Sequence, residues 1–249
     1  MIHNRNRERA LVIALLVSLV LWNLPFGGVV LYPFKLLATW LHELSHSVVM
    51  LLTGAGFDRM ELYRDSSGLA FAERAVGPAA RAAIASAGYM GTPLLGAAIL
   101  IAVQTRRMAR TILIALGAAM ALSALLLVAN PFGIAVLAIG AVICIAAGVV
   151  APERWATVAV HFIAVQSCIN ALLDIRVLFR ANLMVNGQDM GKSDAHNMAE
   201  AAFGTPTLWA VLWLVWSFAL LYAALRWVYL GSTAPPGRSD RSVQGKASR

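Results

Sequence analysis

Residues 35–54 read KLLATWLHELSHSVVMLLTG, an apolar run of membrane length interrupted by His42, Glu43 and His46 in the spacing H-E-x-x-H. On a helix, positions i and i+4 lie one above the other on the same face, so imidazoles at 42 and 46 can grip one metal ion. Glu43 stands one residue along, placed to handle the proton of a water molecule, which is the pattern of a zinc hydrolase. The apolar setting sharpens that reading. An ionisable residue near the bilayer centre costs about 2.5–3.5 kcal/mol, and a metal offsets that cost for three such groups on one helix. A lone histidine in a membrane is often a hydrogen-bonded packing residue, and H-E-x-x-H also arises by chance in soluble proteins. Three ionisable groups together in lipid are harder to explain that way.

Composition fits a membrane setting. Of 249 residues, 60% are hydrophobic and 13% charged, and the mean hydropathy is +0.73; a soluble domain carries about 25% charged residues. The net charge of +8 does not indicate nucleic-acid binding. Most arginines lie in short segments flanking apolar runs, where they set orientation and touch anionic lipid. Cys144 and Cys168 both fall in apolar segments and make neither a disulfide framework nor a thiolate zinc site, so they read as packed thiols.

Taken in order, a polar, basic start (1–9) leads into an apolar run from Leu11 to Leu31, long enough to span and lacking a small-residue cleavage site. Asn23, Pro25, Gly27 and Gly28 should kink its second half, and the motif helix should start after Tyr32-Pro33. Residues 57–63 and 69–73 alternate apolar and polar positions about a turn at Asp65-Ser66-Ser67-Gly68, which predicts a short β-hairpin at the membrane surface. Apolar spans follow at about 79–104, 111–130, 132–151, 155–180 and 207–230, with a polar loop at 181–206. Ser86, Ala87, Gly88 and Gly91 are small enough to let two helix backbones approach closely. The expected fold is therefore an all-α polytopic bundle of six or seven transmembrane helices with a hairpin after the motif helix. Residues 1–230 read as one membrane domain and 231–249 as a disordered basic tail.

Orientation is contradictory on this reading. TRRMAR (105–110), PER (152–154) and the tail share one side, and the basic amino terminus should join them. Seven full spans would put it opposite. Either 11–54 contains a re-entrant or non-spanning piece, or the terminus is exported despite its arginines.

A catalytic zinc takes three protein ligands. Gln166, Asn170 and Asp174 recur at i, i+4 and i+8 as one polar stripe on an apolar helix. That makes Asp174 the expected third ligand, with Asn170 donating to it or to an oxyanion. The competing reading pairs Asp174 with Arg176 or Arg180. Asp194 in the Ser193-Asp194-Ala195 segment is the reserve ligand, otherwise a helix cap or loop residue.

These motifs resemble the site-2 protease family of intramembrane zinc metallopeptidases, in its compact branch without a PDZ module. The resemblance rests on His42-Glu43-Leu44-Ser45-His46, Thr53-Gly54, Gly88-Tyr89-Met90-Gly91, Leu173-Asp174-Ile175 and Ser193-Asp194-Ala195 before a Trp-rich last helix, over about 35–225. In better-known members a Leu-Asp-Gly segment holds the third ligand, and here isoleucine replaces its glycine. The resemblance implies a zinc endopeptidase of the bacterial cytoplasmic membrane that cleaves a membrane protein substrate, with Glu43 as general base and the 57–73 hairpin holding substrate by strand addition. Two other classes compete: a metal-binding or transport protein with Glu43 as a ligand, and a silent scaffold whose histidines only pack. Transport usually shows internal repeats, and none is visible here.

Overall fold

Helix ends in this chain are set by simple local chemistry. Pro78 and Pro131 each occupy a first helical turn, after Gly77 and Asn130. Thr105 Oγ1 accepts from the Met108 N–H at 3.1 Å and caps the next helix. The computed structural model describes residues 2–103, 105–175, 178, 184–189 and 191–230. Among these, the helices are α1 (Ile2–Asn23), α2 (Gly27–Leu52), α3 (Pro78–Ala102), α4 (Arg106–Leu126), α5 (Pro131–Val150), α6 (Glu153–Asp174), α7 (Asp194–Ala201) and α8 (Pro206–Leu230). The chain is an all-α polytopic membrane protein. Five helices are long and apolar enough to cross a membrane, or six when the bent pair α1–α2 counts as one span.

The bend falls where Asn23, Pro25, Gly27 and Gly28 are expected to kink the chain, but the motif helix starts earlier than expected. α1 ends at Asn23, the chain turns by 120°, and α2 begins at Gly27. Pro33 does not mark the start of the motif helix but lies inside α2. Tertiary contacts hold that stretch: Tyr32 Oη donates to Arg64 O at 2.6 Å, and Asn170 Nδ2 to Phe34 O at 3.3 Å. The bend also removes the conflict over charge. Leu11 of α1 shares a buried cluster with Leu100 near the end of α3 and Val228 near the end of α8. The basic amino terminus thus lies at the same end of the bundle as the basic connections.

α6 is the innermost span, with 67% of its apolar window buried, against 22% for α5 and for α8. Exposed leucines, isoleucines and valines on α4, α5 and α8, such as Leu125, Ile143 and Val215, form the lipid-facing belt. Cys144 and Cys168 are buried free thiols, and Cys168 donates to Pro93 O at 3.8 Å.

The expected hairpin is present as β1 (Arg59–Leu62) and β2 (Gly68–Phe71), antiparallel, with Met60 opposite Ala70. An Asx turn closes it: the Ser67 N–H donates to Asp65 Oδ1 at 3.0 Å, and Ser66 takes φ 69°. The far side of β1 is occupied. Met60 N–H donates to Leu127 O at 2.8 Å and its carbonyl accepts from Ala129 N–H at 2.9 Å. Asn130 completes this bracket, its Oδ1 accepting from the Leu62 N–H at 3.1 Å. Residues 181–206 are not a plain polar loop. They contain a second small hairpin, β3 (Met184–Val185) and β4 (Gln188–Asp189), and helix α7. The tail 231–249 and the possible partners Arg176 and Arg180 lie outside the described residues.

Candidate metal centre

α2 and α3 pack closely at the motif because α3 has no side chains in the way. A methyl group added at Gly88 would lie 2.2 Å from His42 Nε2, and one at Gly91 would lie 2.3 Å from Ser45 Oγ. The GYMG segment is thus the contact surface for H-E-x-x-H. Tyr89, between these glycines, meets the His42 ring edge to face at 4.6 Å and stacks on Trp213 at 5.2 Å. His46 and Glu43 are buried, at 5% and 6% exposure. The Ile84 carbonyl lies 2.7 Å from His46 Nδ1. A carbonyl can only accept, so Nδ1 carries the proton and Nε2 keeps its lone pair for the centre.

The carboxylate that meets both imidazoles is that of Asp194. Its Oδ2 lies 3.4 Å from His42 Nε2 and 3.3 Å from His46 Nε2, and the two Nε2 atoms are 3.0 Å apart. These three residues are the candidate metal-holding group among the described residues. Asp174 instead lines the same cavity from the exposed end of α6. The difference has a packing cause. Residues after Ser193 form α7, whose Ala195 and Met198 are buried with Ala85 and Tyr89 of α3 and with Ala210 and Trp213 of α8. The first residue of this docked helix is carried to the imidazoles, while the α6 stripe serves mainly to join helices. Gln166 Nε2 donates to Ser18 Oγ at 3.0 Å, and Asn170 is tied to α2 at Phe34.

The donor set fits a metal ion. Two imidazole nitrogens and one carboxylate are a catalytic-zinc donor set, and a tetrahedral centre with bonds of about 2.0–2.1 Å places its ligand atoms about 3.3 Å apart. The three distances cluster around that value. Two imidazole nitrogens 3.0 Å apart and facing one carboxylate are also a natural seat for a cation.

The group opens into a cavity of about 1130 Å³. Its walls include α2 from Lys35 to Met50, β2, Asn170 and Asp174 of α6, and the loop carrying β3. β2 lies directly over Glu43. A methyl at Gly68 would sit 2.8 Å from both Glu43 Cγ and Thr39 Cγ2, and the Ala70 amide points at the Glu43 carboxylate. Since Met60 bonds outward to 127–129, its partner Ala70 turns its own N–H and C=O away from β1, toward the cavity.

A family model described as Peptidase M50B-like matches residues 10–224. No curated protein and no solved structure matches the chain.

Proposed function

We propose, from the premise that the chain belongs to the Peptidase M50B-like family of site-2-type membrane metalloproteases, that it is a zinc endopeptidase cutting a peptide bond in or near a membrane segment of a protein substrate, in a bacterial cytoplasmic membrane. The observation carrying this reading is the triangle of His42 Nε2, His46 Nε2 and Asp194 Oδ2 beside the buried Glu43. His42, His46 and Asp194, rather than Asp174, would hold the ion. Zinc bound there supplies Lewis acidity, which makes water nucleophilic near neutral pH and polarises the scissile carbonyl.

The remaining work falls to the chain's own groups. Glu43 takes a proton from the attacking water and returns it to the leaving nitrogen. His46 is held in one tautomer by Ile84 O. A transmembrane helix hides its peptide bonds, so the substrate must be unwound locally, and the outward backbone groups of Gly68 with the Ala70 carbonyl offer an edge for strand addition. Asn170 also lines the cavity, and the amide N–H that is not given to Phe34 O is the candidate donor to the substrate carbonyl.

The test is Glu43→Gln in protein purified in detergent without chelators. One zinc per chain is expected in wild type and variant alike, while cleavage of a membrane-embedded reporter falls by about 10²–10⁴-fold, the range for losing a general base. Loss of the metal along with the glutamate would instead favour the transport reading, and absence of metal from the wild type refutes the proposal.

A further inference from the structure

At the end of the cavity away from the metal group, two donors have no acceptor among the described residues. The Lys35 ammonium sits over the Trp22 ring, 5.3 Å from its centroid, and both residues line the cavity. Trp22 Nε1 is buried with no hydrogen-bond partner. The other cations on the cavity wall have carboxylate partners: Arg74 pairs with Glu73, and Arg81 and Lys192 share Glu200. Among the described residues, Lys35 takes part in no ion pair. A lysine left without a carboxylate in a membrane helix is costly, and such residues usually mark a ligand path.

Its position relative to the metal group is fixed by helix geometry. Seven residues separate Lys35 from His42, two turns of α2, so their side chains share a face about 10 Å apart along the axis. Thr39 lies between them and donates to Ser66 O at 2.7 Å, which seats the hairpin turn at the Lys35 end. β2 then runs beside α2 in the same direction: Gly68 is against Thr39 and Glu43, and beyond the strand the Arg74 N–H reaches Ala55 O at 3.1 Å. A peptide added antiparallel to β2, the stronger pairing, runs from the metal group toward Lys35 on its carboxyl-terminal side. At about 3.3 Å per residue, 10 Å is three residues of extended chain.

We propose that Lys35, assisted by Trp22, is a specificity determinant that receives a substrate carboxylate about three residues beyond the cleaved bond. That carboxylate is an acidic side chain or the substrate's own carboxyl terminus. The proposal rests on the protease reading for its substrate, and its test separates the two. A glutamate is moved one position at a time along an otherwise constant membrane-spanning peptide, with glutamine controls. A second pair of peptides ends at the favoured position as free acid or amide. Binding is measured by fluorescence anisotropy in the Glu43→Gln background, where hydrolysis is not needed, and cleavage is measured with the unsubstituted protein.

One position should bind roughly tenfold more tightly as glutamate than as glutamine, the scale of one charge-assisted hydrogen bond. The free-acid/amide pair shows whether a chain terminus serves as well as a side chain. Lys35→Met should abolish the ratio, Lys35→Arg keep it, and Lys35→Glu reverse it toward a lysine-bearing peptide. In cleavage, the ratio should appear in KM with kcat unchanged. Equal binding of the two peptides, an undiminished ratio in Lys35→Met, or a favoured position on the amino-terminal side of the cut would overturn the proposal. Hydrolysis without charge preference defeats the Lys35 assignment alone; charge preference without hydrolysis defeats the protease reading and leaves Lys35 standing.

Discussion

Gly88→Ala tests whether the α2–α3 contact is what shapes the metal centre. In an isolated helix this change is favourable by about 1 kcal/mol. Here the new methyl would meet His42 Nε2 at 2.2 Å, Cε1 at 2.4 Å and Cδ2 at 2.5 Å. Non-bonded heavy atoms pack at about 3.5–4.0 Å, so the ring or a helix must give by more than about 1 Å. The ring has little freedom, with Tyr89 against its face and Asp194 and His46 at Nε2. α3 cannot retreat without opening the neighbouring contact of Gly91 with Ser45. Overpacking of this kind costs about 1–3 kcal/mol in stability, and a 1 Å misplacement of a reacting group costs about a hundredfold in rate. The expected result is a protein that still folds in detergent, holds little zinc by elemental analysis and cleaves a reporter at least about a hundredfold more slowly. Gly91→Ala is the control, because Ser45 Oγ ends a short side chain that can rotate away. Full zinc occupancy and an undiminished rate in Gly88→Ala would show that the contact is not what positions His42.

Two further predictions concern parts that hold the site together. Asp194→Asn should lower zinc occupancy sharply, because an amide replaces the carboxylate facing both Nε2 atoms, whereas Asp174→Asn should leave occupancy near that of the unsubstituted protein; elemental analysis of both variants decides, and the opposite ranking would return the ligand to α6. Asn130→Ala removes the side chain that accepts from Leu62 N–H and donates to Leu62 O. At about 1 kcal/mol per hydrogen bond, amide exchange should speed up across residues 59–71 while zinc content is retained; unchanged exchange there would show that the α4–α5 connection does not brace the hairpin.

What the sequence reveals here follows the range over which each signal acts. His42 and His46 are legible because ligand spacing on one helix is a local property, and Glu43 follows from them. The hairpin is legible because alternation about Asp65-Ser66-Ser67-Gly68 lies within a few residues. Gly88 and Gly91 announce a close helix contact, although not that the partner is the motif helix itself. The third carboxylate is different. Gln166, Asn170 and Asp174 form a real stripe, but the first two bond to Ser18 and to the Phe34 carbonyl, so those two record helix–helix joining, while the carboxylate beside both imidazoles is that of Asp194. Asp194 begins a helix of only eight residues, too short for a periodic pattern to stand out. Its one local signal is Ser193-Asp194 ahead of Ala195 and Met198, an i, i+3 pair that docks on α3 and α8. Pro33 misleads in a related way, since contacts to Arg64 and Asn170 keep helical a stretch that local rules would break.

The triangle joins residues far apart in the chain, with four membrane-length helices, α3 to α6, between His46 and Asp194. At about 5–20 residues per second of synthesis, the motif helix waits on the order of ten seconds before its carboxylate leaves the ribosome. During that interval the two imidazoles and Glu43 have no Asp194 to complete the seat. On the proposed ligand set of His42, His46 and Asp194, metal loading would belong to the finished polypeptide, and a nascent chain would be inactive toward its neighbours at the insertion site.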